Sequence, residues 1–194
     1  MLSSPLILHF PSSMPMTDDQ FFDFCQENRD LRIERNKYGE ISIMPPTGSE
    51  GGNREGRIIQ QVMNWTDEDG AGIAFSSSAG FKLSTGAERS PDAAWIKLER
   101  WNKLTPEQQI KFAPICPDVV IELMSPSDNL QPLKDKMWEY MQEPGIQLGL
   151  LIDRKNRHVY IYRPGEDVEC LENPDVVSCE PVLPGFVLRM GKIW

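Results

Sequence analysis

The chain has 194 residues, enough for one domain with a sizeable core. It is 40% hydrophobic and 25% charged, an ordinary globular composition, and no apolar run approaches a membrane span. Its 29 acidic against 20 basic side chains leave a charge of −9, which excludes broad attraction to nucleic acid or anionic membrane but not a local basic groove.

In chain order, the "PLILHF" piece has no basic residues before it and is too short for a signal core. Residues 1–16 read as an N-terminal extension and 17–194 as one domain. "TDDQFFDFCQEN" opens on Thr17 with Gln20 three residues on, a capping-box pattern before a helix. "LRIERNKYGEISIM" alternates, turns at "NKYG" and alternates again, as a hairpin does. "PPTGSEGGN" reads as a Gly-rich loop. From Glu55, Ile58, Ile59, Val62 and Trp65 recur at helical spacing until "DEDG". "GIAFSSS", "GFKLS" and "SPDAAWIKL" read as strands. "LTPEQQIKFAP" is a short helix with Thr105 as cap, Pro106 at its first position and Gln108 closing the box.

"PDVVIELMSPSD" is a buried-strand pattern with Glu122 inside it. A lone buried carboxylate costs several kcal/mol or takes up a proton, so Glu122 requires a partner. "NLQPLKDKMWEYMQEPG" follows as an amphipathic helix whose apolar face holds Leu130, Leu133, Met137, Tyr140 and Met141, with Asp128 placed to cap it. "IQLGLLID" and "RHVYIYR" pair through the "RKN" turn. "CLENPDVVS" reads as a peripheral hairpin, and the apolar "VLPGFVL" and Trp194 read as cover for an edge strand or a partner. This order predicts an α/β fold, a mixed sheet with flanking helices.

Asp92 at the entrance of one strand and Glu122 inside another bring two carboxylates together if the strands are neighbours. Two hard oxygen donors suit Mg²⁺ or Mn²⁺. An ion pair between Glu122 and an Arg or Lys, or an edge strand with Glu122 in water, would also explain it. Lys134 and Lys136 flank the apolar face of the next helix, and helical phase alone does not say which of them faces the acids. The four cysteines make no C-x-x-C pair, consistent with free thiols in the cytoplasm, and two histidines argue against a His-rich metal site. "SSSAG" is no nucleophile elbow, no phosphate-binding G-x-x-x-x-G-K-[ST] loop is present, and "GAGIAF" lacks the third glycine of a dinucleotide fingerprint.

Taken together, "RSPDAAW", "FAPICPDVVIELMSPSD" and "KMWEYMQEPGIQLGLLIDRKNRHVYIYRPG" resemble the Uma2 family, also called DUF820, of the PD-(D/E)XK nuclease superfamily. "LRIERNKYGEISIMPPTG" and "VLPGFVLRMGKIW" extend the similarity over most of the chain from about residue 17. The resemblance implies a restriction-endonuclease-like core and a metal-dependent endonuclease acting on nucleic acid, with DNA the expected substrate. It matches the family's Pro-Asp to Pro91 and Asp92 and its strand glutamate to Glu122. The superfamily lysine two residues later is Met124 here, and the resemblance moves that role to Lys136 on the following helix. It implies that Asp92 and Glu122, with a backbone carbonyl near Leu123, hold Mg²⁺ or Mn²⁺, and that Glu34 joins them. Lys136 then serves the attacking water or the charge of the transition state. Asn53 stands where many relatives carry His; Ser125 and Ser127 are candidates for orienting the turn after Glu122. A symmetric homodimer is implied as well. The alternative is a nuclease-like fold that no longer cleaves and serves as a binding or assembly module, which the net negative charge and the displaced lysine favour.

Overall fold

The computed structural model describes residues 5–10, 15–126 and 128–194. Three sheets carry the strands. β1 (Leu6–Leu8), β2 (Arg32–Arg35), β3 (Ile41–Met44), β5 (Phe81–Lys82) and β6 (Glu88–Arg89) form one, in the order β1-β3-β2-β6-β5. The central sheet has six strands: β4 (Gly72–Ser76), β7 (Ala93–Lys97), β8 (Val119–Leu123), β9 (Leu148–Asp153), β10 (His158–Tyr162) and β11 (Glu169–Glu172). Their order is β11-β10-β9-β8-β7-β4, and only β8 and β9 are parallel. β12 (Val176–Ser178) and β13 (Val187–Arg189) pair by themselves. The fold is therefore the expected mixed α/β arrangement.

The helices are α1 (Asp18–Glu27), α2 (Ser49–Asp69), α3 (Leu98–Trp101), α4 (Pro106–Ile110) and α5 (Leu130–Met141). Both capping boxes form. The Thr17 hydroxyl accepts from Gln20 N–H at 3.2 Å and the Thr105 hydroxyl from Gln108 N–H at 3.3 Å. The Gly-rich segment is a loop only over residues 45–48. α2 starts at Ser49 and takes in Gly51, Gly52 and Asn53. Each interior glycine costs about 1 kcal/mol against alanine, but Arg54 ties the first turn to Glu50 one turn back and donates to the Ile193 carbonyl at 3.0 Å. Further along, Ile58 and Val62 are fully buried and anchor the helix.

Strand alternation places the functional side chains. Val119 and Ile121 face α2, whereas Val120 packs with Met137 and Tyr140 of α5. Side chains alternate, so Glu122 emerges on the α5 side. In β2, Ile33 packs under Phe21 of α1, so Arg32 and Glu34 emerge on the opposite face. The β8-α5-β9 unit is a parallel crossover, which returns α5 alongside the strand that precedes it.

Three local expectations are corrected. Asn129, not Asp128, is the N-cap residue of α5, and it makes no side-chain cap; the Asp128 carboxylate instead accepts from Ser125 N–H at 2.8 Å, closing the turn after β8. "CLENPDVVS" is no hairpin: β11 pairs with β10 and β12 with β13, because Asn173 in a left-handed turn (φ 46°) redirects the chain just before Pro174. The C-terminal apolar segment covers the sheet of its own chain. Leu183, Phe186, Leu188, Met190 and Ile193 are buried in one core cluster with Val119, Ile121 and Leu150, while Val187 stays exposed. None of the four cysteines forms a disulfide.

Candidate active site

β7 and β8 are antiparallel neighbours, with Ala93 opposite Ile121. Continuing that register by one residue sets Asp92 beside Glu122. The Leu123 N–H donates to Asp92 Oδ2 at 2.7 Å, which fixes the carboxylate at the strand end. Asp92 Oδ1 lies 2.9 Å from Arg32 Nη1. Glu122 Oε1 lies 2.7 Å from Lys136 Nζ and accepts from the Tyr140 hydroxyl at 3.2 Å. Both acids are almost fully buried, yet they line a cleft of about 1030 Å³ together with Arg32, Glu34, Glu55 and Lys136.

Lys136 bridges two acids: its ammonium is also 2.9 Å from Glu34 Oε1. Glu34 Oε1 accepts from Ser90 N–H at 3.0 Å as well, and Oε2 accepts from Arg89 Nη1 at 3.1 Å. Arg89 pairs in turn with Glu139 at 2.7 Å. Lys134 is on the other flank of α5. It does not point to solvent, but sits with its ammonium 4.3 Å from the Tyr160 ring centroid, a cation–π contact.

These contacts displace the titrations in opposite directions. Burial pushes Glu122 up to about 7; Lys136 works against that, while Asp92 and Glu34 add to it. Burial would raise Glu34 too, but Lys136, Arg89 and Arg32 hold it down to about 2. Burial opposes the charge of Lys136, yet Glu122 and Glu34 hold its ammonium above the ordinary lysine range. Burial, with the charge of Glu122 adding to it, keeps the Tyr140 phenol protonated well above the ordinary tyrosine range, so it remains a donor to Glu122.

Sequence reasoning missed Arg32, Arg89, Tyr140 and Glu55. Arg32 was legible as the residue two before Glu34 on one strand, and Tyr140 as the residue one turn after Lys136. Nothing in the sequence marks Arg89, which reaches the site from the two-residue strand β6. Glu55 lines the same cleft; its carboxyl is raised by burial and by Asp92, while its hydrogen bond with Ser77 and the charge of Arg32 lower it. Asn53, two residues earlier on α2, is exposed and does not line the cleft. Leu123 and Ser125 line it. Ser127 lies outside the described residues.

The donor chemistry fits a hard divalent cation. Asp92 and Glu122 offer oxygen only, and both line the open cleft. Among the described residues no group of three or more His, Cys, Asp or Glu is arranged to hold an ion. A cation here would rest on the two carboxylates, backbone oxygen and water.

Two comparisons define the class. A family profile described as "Uma2: Putative restriction endonuclease" matches residues 18–191, and the chain belongs to that family. A solved structure described as a "putative nuclease belonging to DUF820" from Anabaena variabilis ATCC 29413 superposes with a TM-score of 0.69 at 20% identity. The match covers 83% of this chain and 88% of the other, so the two share a fold. No curated protein matches. The family's description supports nuclease function in general.

Proposed function

We propose that the protein is a Mg²⁺- or Mn²⁺-dependent endonuclease that hydrolyses phosphodiester bonds of DNA. The observation that carries this reading is the contact set around one point: two carboxylates from adjacent strands, one lysine ammonium 2.7 Å from the buried acid, and an open cleft above them. Asp92 and Glu122 would hold the cation, with the Leu123 backbone beside them. When bound, such an ion supplies Lewis acidity to a phosphate oxygen and lowers the pKa of water. Asp92 is oriented by Leu123 N–H, and Glu122 by Tyr140 and Lys136. Lys136 keeps a proton at Nζ for the transition-state charge, and Glu34 positions it from the far side. Arg89 clamps Glu34 and Glu139, so the ammonium has little freedom.

A cleavage panel of duplex, flap and single-stranded DNA and RNA with Mn²⁺ and Mg²⁺ tests this. Asp92→Ala and Glu122→Ala should abolish cleavage. Lys136→Ala should lower it by roughly two or more orders of magnitude, and Lys134→Ala should leave it nearly unchanged. No cleavage by the unmodified protein on any substrate, with Mn²⁺ binding absent in calorimetry, would favour the binding-module alternative.

A further inference from the structure

The acids of the site are already matched by cations. Glu34 is shared by Lys136 and Arg89, Glu122 faces Lys136, and Asp92 faces Arg32. Counting Glu139, which Arg89 also holds, four carboxylates face three cations, so a divalent ion would compete with a resident cation for carboxylate oxygens. The three are not equally held. The Lys136 and Arg89 side chains are each 13% exposed, and each bridges two acids. The Arg32 side chain is 28% exposed, lines the cleft and meets one carboxylate, with its other amino group donating to the Ser90 carbonyl at 2.6 Å. Its Nε is buried with no hydrogen-bond partner, so its present pose satisfies the guanidinium incompletely.

We propose that Arg32 is the resident counter-ion of Asp92 and is exchanged for the divalent cation, so that Arg32 sets the affinity of the site for the ion. This rests on reading Asp92 and Glu122 as cation ligands. Asp92 has one oxygen committed to the Leu123 N–H and the other to Arg32, so an ion claiming this carboxylate competes with the guanidinium. The displaced side chain has an acid to move toward: Glu55 lines the same cleft and already feels the charge of both Arg32 and Asp92. A planar, permanently charged fork suits such an exchange and, once released, suits a phosphate.

Calorimetric titration of Mn²⁺ into metal-free protein at pH 8 tests this, with thermal unfolding as a second readout. Arg32→Gln should bind Mn²⁺ about tenfold more tightly than the unmodified protein, within the range of coupling between two linked sites, and should gain more in Tm from Mn²⁺. Arg32→Lys keeps the charge but loses the two-pronged contact, so it should show a smaller gain; it also serves if Arg32→Gln does not fold. Arg154→Gln removes a cleft cation that faces Glu50 at 3.4 Å rather than Asp92, and should stay within about twofold of the unmodified protein. Equal or weaker binding by the Arg32 variants would overturn the exchange and make Arg32 a support for Asp92. Absence of Mn²⁺ binding in the unmodified and Arg32 proteins alike would overturn the metal-site reading together with it.

Discussion

Glu122 is tolerated inside a buried strand because Lys136 and Tyr140 meet it there. Its cost is still visible in a carboxyl pushed up to about 7, chiefly by burial. That sets a pH dependence. The folded state holds the Glu122 proton more tightly than the unfolded chain, so this residue's contribution to stability is complete below about pH 4.5 and is lost as pH rises through about 7. Glu34, held down to about 2, does the reverse: its contribution is present above about pH 4.5 and lost as pH falls toward 2. An ion binding to Glu122 must displace its proton below the folded pKa. Mn²⁺ affinity should therefore fall by about tenfold per pH unit below about pH 7 and level off above it. Calorimetry from pH 5.5 to 8 checks this, and a flat profile would remove Glu122 from the ligand set.

At the scale of the element, α5 carries the site. It holds Lys136 and Tyr140 one turn apart on the side that meets β8, while Met137, Tyr140 and Met141 bury it against the sheet. Gly149 on β9 lies under the Met137 and Met141 side-chain ends, where even a Cβ would meet the Met137 methyl at 2.3 Å. Packing and chemistry are thus mechanically joined. Met137→Ala, at a fully buried position, should cost about 2–5 kcal/mol in urea unfolding. It should also lower cleavage by more than the unfolded fraction accounts for, since the helix that aims Lys136 loses its central contact. Activity proportional to the folded fraction would show that the Glu34 and Glu122 pairs alone hold Lys136.

Across the whole molecule, the site joins two sheets. β7 and β8 of the central sheet supply the acids; β2 and β6 of the outer sheet supply Arg32, Glu34 and Arg89. No described helix is long and apolar enough to cross a membrane. The homodimer remains a proposal, and most of the C-terminal apolar segment is spent on the protein's own core, with Val187 left exposed. The exposed Leu6 and Ile7 on edge strand β1 and nearby Phe10 are the alternative apolar surface. Light scattering should give twice the monomer mass, and Ile7→Glu should shift it toward the monomer; a monomer at all accessible concentrations ends the proposal.

Local rules carried much of this reading. Thr17 and Thr105 capped the helices they were expected to cap, the β2–β3 and β9–β10 hairpins formed where alternation and turn residues put them, and Glu122 declared itself as a charge in an apolar run. These depend on neighbours within a few residues, so the sequence by itself determined them. Composition misled at Gly51 and Gly52, where turn-like residues were overruled by the docking of α2. Which acids share a face, which lysine meets them and which arginines balance them depend on strand register and on helix packing between residues up to 102 positions apart, as in Lys136 with Glu34. Helical phase left Lys134 and Lys136 equivalent and the family resemblance pointed to Lys136; packing of α5 against β8 and β9 gives the physical reason, because one flank of the helix meets buried carboxylates and the other meets the Tyr160 ring.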